Sequence, residues 1–198
     1  MILGLVGRKG AGKSTVAKMI TEMVPRSAEI AFADPMKKFV AEMFDWPLSL
    51  LNGPSEVKEI EDYRYLRHVG TGDGPQYLTP RFALQQLGTD WGRKCYPDVW
   101  IDYTLRRAAR IKLHDSAGNE TLVVISDVRF RNEAGRIQAA GGQIVLIERP
   151  VEVDNEDLHA SELEVAEIPI RHVIHNNSSI EALGLMVGNI LWNLGMKP

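Results

Sequence analysis

Residues 2–14 read ILGLVGRKGAGKS, and this stretch decides the fold. Its first five residues form a short apolar run that ends at Gly7, which predicts a buried strand. The eight residues Gly7–Ser14 match the spacing G-x-x-x-x-G-K-[ST] without a mismatch. Glycines in such a loop let backbone N–H groups converge on phosphate oxygens, because no Cβ blocks the approach. An amphipathic helix from Lys13 to about Val24 follows, and its N-terminal dipole favours the same anion.

The loop at residues 7–14, called the glycine loop below, predicts ATP as the phosphate donor and Mg²⁺ as the metal. We expect Lys13 to reach the β- and γ-phosphates and the Ser14 hydroxyl to hold the Mg²⁺ ion. The alternative is an ordinary glycine-rich turn with an exposed lysine, which the strand before it and the helix after it make less favourable. The predicted donor ligands are Gly7, Lys9, Gly10, Ala11, Gly12, Lys13, Ser14 and Thr15.

A second group of candidate residues follows the apolar strand predicted at residues 121–126. Asp127 stands at the end of this strand, where a second magnesium-side carboxylate is expected. Its alternative role is that of a simple helix cap or turn residue. Arg129 and Arg131 follow at once, and two guanidinium groups there suit phosphate recognition and transition-state charge. We therefore expect Lys13, Asp127 and these two arginines to be the catalytic residues.

The rest of the chain alternates between apolar runs and helical patterns. Further strands are predicted at 29–33, 143–148 and 172–175, and helices at 34–44, 79–94, 97–111, 132–140 and 178–194. The alternation predicts a three-layer α/β fold with a five-stranded parallel sheet, and together with the glycine loop this fold is similar to that of P-loop kinases. Residues 46–79 are rich in Gly and Pro, so we expect an irregular insertion with one helix in a single domain spanning 1–198.

Two segments are candidates for the acceptor substrate. We expect Asp34 to cap the helix after the second strand, with Pro35 at its first position, and Asp34 and Lys37 also face the predicted cleft. In the segment 83–93, glutamine amides can read a base edge, Trp91 can stack on it, and Arg93 can hold its phosphate. Solvation alone is the plainer explanation for the glutamines. The predicted substrate-binding residues are Asp34, Lys37, Gln85, Gln86, Trp91 and Arg93.

Composition excludes several classes of protein. The chain has 198 residues, a formal net charge of −3 and no basic block, which disfavours duplex nucleic acid as a partner. Cys95 is the only cysteine, so no disulfide can form within the chain. The five histidines do not form a metal-site pattern. No apolar run approaches the length of a membrane span, and we expect a soluble, cytoplasmic protein, in the host cytoplasm if it is phage-encoded.

The assembled segments resemble a phage-type deoxynucleoside monophosphate kinase of the P-loop kinase superfamily. The resemblance is carried by GRKGAGKST at 7–15, FADPMKKF at 32–39, ALQQLGTDWGR at 83–93, VISDVRFRNEA at 124–134 and GGQIVLIERP at 141–150. It covers nearly the whole chain apart from the insertion. It implies transfer of the ATP γ-phosphate to a deoxynucleoside monophosphate, with nucleotides as partners. A homodimer is compatible with the sequence.

The resemblance also implies roles for the later segments. Residues 149–171 take the position of the lid, and Asn176 and Asn177 would border the ATP base. Related lids often deliver several arginines, whereas this one has only Arg149 and Arg171, both at its ends. We expect Arg149 and Asn177 among the ATP ligands, with His159 or an arginine elsewhere as a substitute in the lid.

Two other functions remain open at this stage. One is a different small-molecule kinase, such as one acting on dephospho-coenzyme A. The segment 83–93 discriminates against it, since a base-reading helix suits a nucleotide acceptor. The other is a nucleotide-dependent switch or assembly ATPase, which would need a catalytic-water residue and a partner surface, and the sequence identifies neither.

Overall fold

The glycine loop follows a central strand of a parallel sheet, β1 (Ile2–Val6), and leads directly into a helix, α1 (Lys13–Met23). The computed structural model describes residues 1–8, 10–54, 56–69, 74–113, 121–150 and 170–196. These residues form two compact units, one made of Met1–Phe32 with Ile101–Pro198 and the other of Ala33–Trp100. They are called the first and the second unit below. The single domain with an insertion at 46–79 stays a prediction.

The elements of the first unit alternate between strand and helix. They are β1 Ile2–Val6, α1 Lys13–Met23, β2 Ser27–Ile30, α5 Val99–Leu113 (whose first two residues belong to the second unit), β5 Leu122–Val128, α6 Arg131–Ala139, β6 Gln143–Glu148, β7 His172–His175 and α7 Ile180–Asn193. Those of the second unit are α2 Asp34–Phe44, α3 Leu48–Asn52, a 3₁₀ turn Glu56–Glu59, β3 Asp62–Val69, β4 Pro75–Leu78, α4 Pro80–Gln85 and a π-helix Gln86–Arg93.

The sheet of the first unit has five strands in the order β2-β5-β1-β6-β7, and every pair is parallel. The predicted α/β fold with a five-stranded parallel sheet is confirmed. Since all the strands run in one direction, the carboxyl ends of β5, β1 and β6 lie side by side at one edge. The glycine loop follows β1 at this edge, where ligands bind in open α/β sheets.

Helices cover both faces of this sheet, which makes the three layers. Leu3 and Leu5 of β1 point to one face and share an apolar core with α1 and α7. Gly4 points to the other face, where a Cβ atom would lie 3.0 Å from Ile137 of α6. β1 has no exposed residue, as expected for a central parallel strand.

The second strand is shorter than the sequence predicts. β2 ends at Ile30 rather than Ala33, because the backbone N–H of Phe32 donates to the Asp127 carboxylate at 2.7 Å. A further difference follows at the next helix, where Asp34 is not the N-cap. Ala33 occupies that position with helical dihedral angles, and Asp34 is the first residue of α2.

The final helix also begins later than predicted, at Ile180 instead of residue 178. Ser179 is the N-cap, and its side chain accepts a hydrogen bond from the backbone N–H of Ala182. The Ser179 hydroxyl also lowers the pKa of Glu181 in the first turn. The strands predicted at 143–148 and 172–175 match β6 and β7 residue for residue.

The segment 46–79 contains a β-hairpin, so the prediction that it is irregular is wrong. β3 and β4 pair antiparallel, and β3 alternates aromatic and charged residues in the sequence DYRYLRHV. Tyr65 packs edge-on against Phe44 and Trp46, with ring centroids 5.3 and 6.4 Å apart. Glycines and prolines around the strands hid this alternation, which is the signature of a half-buried strand.

The helix predicted from Thr79 to about Lys94 begins as expected, since the Thr79 side chain accepts from the N–H of Phe82. Beyond Gln85 it becomes a π-helix, a rare geometry that is frequent at functional sites. Both glycines in this π-helix allow a close approach. A Cβ at Gly88 would lie 2.8 Å from the Met36 sulfur, and one at Gly92 would lie 2.5 Å from the Trp100 ring.

Replacement of Gly92 by Ala should therefore destabilise the protein. The Trp100 ring cannot move away freely, because it is buried and its indole N–H donates to the Gly88 carbonyl at 2.9 Å. We expect a loss of about 1–3 kcal/mol in the free energy of unfolding, as for other overpacked sites. Denaturant unfolding monitored by circular dichroism measures the loss.

The matched control is Gly135→Ala in α6, where an added Cβ meets nothing within 4 Å. This change should stabilise by about 0.5–1 kcal/mol, the ordinary gain of Ala over Gly inside a helix. Equal effects of the two substitutions would contradict the packing described at Gly92.

A charged contact ties the hairpin to the segment between α2 and α3. The Asp62 carboxylate accepts from the Trp46 indole at 2.7 Å and from the Arg64 guanidinium at 2.7 Å. Both hydrogen bonds, the one from Arg64 first, hold the pKa of Asp62 far below its ordinary value. The charged form is thus favoured in the folded state, and the linked stability is present above the unfolded pKa of about 3.9.

Asp62→Asn should lower the urea midpoint of unfolding at pH 7, since the amide cannot carry the charge that Arg64 stabilises. The difference from the unsubstituted protein should shrink as the pH falls below about 4, when protons bind the unfolded carboxylate. Asp45→Asn is the control, because the Asp45 side chain is 97% exposed and lies 3.8 Å from the same guanidinium. A pH-independent difference for Asp62→Asn would contradict the ionic origin.

Candidate active site

Two glycines give the loop after β1 its shape. Gly10 and Gly12 have φ angles of 78° and 100°, in the left-handed region that other residues rarely adopt. At Gly7 the reason is space, since a Cβ there would lie 2.5 Å from the Ile147 carbonyl oxygen of β6. The loop can therefore lie against the end of the neighbouring strand only with glycine at these positions.

Lys13, at the start of α1, folds back over the loop that precedes it. Its Nζ donates to the carbonyl oxygen of Gly7 at 2.6 Å and to that of Arg8 at 2.8 Å. The ammonium group is therefore held beside the backbone that the sequence predicts to bind phosphates. Ser14 and Thr15 are exposed in the first turn of α1. Lys9, a predicted ligand, lies outside the described residues.

Asn176 connects the glycine loop to the far end of the sheet. It follows β7, and its Nδ2 donates to the Ala11 carbonyl oxygen at 2.9 Å. Its backbone N–H donates to the Glu148 carbonyl at 2.6 Å and so continues the ladder between β6 and β7. The sequence associated Asn176 with the ATP base, whereas its described contact is with the loop. Asn177, the predicted ATP ligand, is exposed beside it.

Asp127 lies where the pairing of β1 and β5 becomes irregular. Gly4 is opposite Ile125 and Val6 is opposite Val128, so two steps along β1 match three along β5. Such an irregularity re-aims a side chain and is common beside active sites. The Asp127 carboxylate is half-buried and accepts from the N–H of Phe32 at 2.7 Å.

Arg129 and Arg131 follow β5 and are exposed. The turn that carries them is held by Glu133, a residue that the sequence analysis did not single out. The Glu133 carboxylate accepts from the backbone N–H of Arg129 at 2.8 Å and from that of Phe130 at 3.1 Å. The signal was present, since a glutamate at the third position of a helix often satisfies N–H groups at its start.

The residues of this site are of the types that bind a nucleoside triphosphate with Mg²⁺. Gly10 and Gly12 have left-handed φ angles, which suit a loop whose backbone N–H groups converge on an anion. A hydroxyl oxygen from Ser14 and a carboxylate from Asp127 are oxygen ligands of the type that Mg²⁺ prefers. Among the residues that the structure describes, no cluster of three or more His, Cys, Asp or Glu side chains could hold a metal by itself.

The predicted acceptor residues all belong to the second unit. Lys37 in α2 donates to the Asn52 amide oxygen at 3.0 Å. Gln86 donates to the Asp90 carboxylate at 2.7 Å within the π-helix. Trp91 is 58% exposed on the same helix, and Gln85 is exposed at the end of α4. Asp34 and Arg93, also predicted acceptor residues, are half-buried.

Most of the predicted lid lies outside the described residues. This applies to residues 151–169, including His159, so the structure describes only Arg149 and Arg171 of the lid residues named above, and both are exposed. Within the described part of the chain, no helix combines the length and the apolar character needed to cross a membrane.

A family model for deoxynucleotide monophosphate kinases matches residues 73–187. A putative deoxynucleotide monophosphate kinase from Acanthamoeba polyphaga mimivirus is 33% identical over an alignment of 187 residues. The match covers 91% of this chain and 91% of the relative. The chain belongs to the deoxynucleotide monophosphate kinase family. It is therefore a phosphotransferase, and the resemblance found in the sequence is confirmed at the level of the family. The family model begins after the glycine loop, whereas the viral relative spans nearly the whole chain.

Solved structures of small kinases are more distantly similar. A dephospho-CoA kinase from Campylobacter jejuni has 12% identity and a TM-score of 0.49, covering 98% of this chain and 96% of its own. A shikimate kinase from Bacteroides thetaiotaomicron has 13% identity and a TM-score of 0.45, covering 99% of each chain.

Glu133→Gln should destabilise this kinase, because the neutral amide accepts less strongly from two N–H groups and buries donors of its own. Glu133 is 2% exposed, so we expect a loss of about 1–3 kcal/mol. Urea unfolding at neutral pH measures it. Glu22→Gln in α1, where the carboxylate is 64% exposed and 3.8 Å from Lys18, should change stability by only a few tenths of a kcal/mol. A loss at Glu133 no larger than this would contradict its role in the turn.

Proposed function

We propose that the protein transfers the γ-phosphoryl group of ATP to a deoxynucleoside monophosphate. The bond between the γ-phosphorus and its bridging oxygen breaks, and a bond to an acceptor phosphate oxygen forms, giving ADP and a deoxynucleoside diphosphate. Family membership supports the acceptor class, and the glycine loop supports the donor. The geometry of Gly7–Ser14 after a buried parallel strand is the observation that carries the proposal.

The glycine loop would hold the donor. Backbone N–H groups from Gly7 to Thr15 would bind the phosphates, and the Lys13 ammonium would exchange its two carbonyl contacts for phosphate oxygens. Ser14 and Asp127 would hold Mg²⁺, which when bound neutralises charge on the phosphate oxygens. Arg149 and Asn177 complete the proposed ATP ligands.

Arg129 and Arg131 would stabilise the charge of the transferred group. Phosphoryl transfer needs positioning and positive charge more than a protein nucleophile. Glu133 supports this role, because it fixes the backbone on which Arg129 stands while both arginine side chains stay exposed. We propose that one of the two contacts the acceptor phosphate.

The second unit would bind the acceptor through Asp34, Lys37, Gln85, Gln86, Trp91 and Arg93. The exposed Trp91 offers an aromatic face for stacking on a base. The Gln86 amide is oriented by Asp90, which leaves its carbonyl oxygen as the group that would accept from a base. A lid at 149–171 and a homodimer remain further proposals.

Lys13→Ala should abolish phosphoryl transfer while the fold survives, because the ammonium lies beside the loop carbonyls of Gly7 and Arg8 and is not part of the apolar core. Transfer is measured as ADP formed from ATP and Mg²⁺ with each of the four deoxynucleoside monophosphates. Lys18→Ala in α1 is the control, since Lys18 is exposed and its described ion pair is with Glu22 in the same helix. It should retain nearly full activity.

The same assay separates the alternative functions. Transfer to dephospho-coenzyme A but to no deoxynucleotide would favour the other kinase class. Slow ADP formation independent of any acceptor, and accelerated by a protein partner, would favour a switch or assembly ATPase. Either result would contradict the proposal.

A further inference from the structure

Asn176 makes the described side-chain contact that joins β7 to the glycine loop. Its Nδ2 donates to Ala11, 165 positions earlier in the chain, at 2.9 Å. The Asn176 backbone is itself fixed, because its N–H donates to Glu148 at 2.6 Å. The amide group therefore reaches the loop from a rigid sheet edge rather than from a free loop.

This contact sets the orientation of one peptide group in the loop. The Ala11 N–H donates to the Arg8 carbonyl at 3.1 Å, and the Ala11 carbonyl accepts from Asn176. In a planar trans peptide the carbonyl and the following N–H point in opposite directions. With its carbonyl held by Asn176, the Ala11–Gly12 peptide directs the Gly12 N–H away from that side chain.

The close packing at Gly12 supports a fitted contact rather than a surface one. A Cβ at Gly12 would lie 2.5 Å from the Asn176 Nδ2 atom. Ala11 is 1% exposed, so its methyl group is enclosed and the peptide that follows it has little room to reverse. A reversed peptide would turn the Ala11 carbonyl towards the side on which the Gly12 N–H now points, and a carbonyl oxygen repels phosphate.

We propose that Asn176 is a positioning residue for the donor nucleotide. It holds the Ala11–Gly12 peptide with its N–H available to the donor phosphates, which links the end of β7 to phosphate binding. The inference rests on the proposed function only for the identity of the donor. It assigns Asn176 to the phosphate side of the site instead of the base side.

Asn176→Asp tests this role with a side chain of the same shape. The carboxylate has no N–H to donate, and it places a negative charge beside the Ala11 carbonyl and the bound phosphates. The readout is the Kd of Mg·ADP from calorimetry without an acceptor, followed by KM for ATP and for the acceptor. We expect Kd and KM for ATP to rise about tenfold or more, because one partly buried hydrogen bond is lost and a negative charge is added beside the phosphates. KM for the acceptor should change by less than about twofold.

Asn176→Ala removes the donor without adding charge and should weaken Mg·ADP binding less than Asn176→Asp does. Asn189→Ala, on the exposed side of α7, is the control and should bind Mg·ADP as the unsubstituted protein does. Urea midpoints are measured for all variants. Equal rises in both KM values, or loss of folding in both Asn176 variants, would overturn the positioning role in favour of a purely structural one.

The binding measurement separates this inference from the proposed function. If the Asn176 variants bind Mg·ADP like the unsubstituted protein, the inference fails whatever acceptor the enzyme uses. If Mg·ADP binding weakens as expected but no deoxynucleotide accepts phosphate, the proposed function fails and the inference stands.

Discussion

A loop that offers its backbone N–H groups to phosphate must keep its carbonyl oxygens turned away from the phosphate, because these oxygens repel it. In the glycine loop three carbonyls accept from described side chains. The Lys13 ammonium donates to those of Gly7 and Arg8, and the Asn176 amide donates to that of Ala11. Each carbonyl that is held in this way fixes the direction of the next N–H. Asn176 thus shapes the donor site without needing to touch the nucleotide.

The sheet order explains why these supports come from distant parts of the sequence. β1 lies between β5 and β6, so the loop that follows it meets the ends of both strands. β6 contributes the Ile147 carbonyl against which Gly7 packs, and β5 contributes the segment with Asp127. β7 is joined to the loop by the hydrogen bond that its next residue, Asn176, donates to Ala11. A parallel sheet buried on both faces gives these ends fixed positions.

The sequence predicted well those features that depend on local patterns. Apolar runs located β6 and β7, and the glycine spacing located the loop before α1. The hairpin was missed because the Gly and Pro residues around its strands favoured an irregular segment. The π-helix was missed because Gly88 and Gly92 pack against Met36 of α2 and Trp100 of α5, and these contacts depend on how the helices pack. Local propensity carries no information about such neighbours.

The candidate site likewise contains residues that a local sequence pattern reveals and residues that it does not. Lys13 and Asp127 were found because their residue types and positions belong to a recognisable pattern. Glu133 and the loop contact of Asn176 were not found, and each acts on backbone atoms. The position of Glu133 in the first turn of its helix was a signal that was not used. Nothing local to Asn176 points to Ala11, which lies 165 positions earlier in the chain.

Asp127 shows how one carboxylate can shape the fold and serve the site. Its hydrogen bond to the Phe32 N–H coincides with the end of β2, and Phe32 is the last residue before the chain enters the second unit. The irregular pairing with β1 aims the carboxylate at this backbone. The carboxylate proposed for Mg²⁺ binding is therefore held by the same contact that coincides with the end of β2.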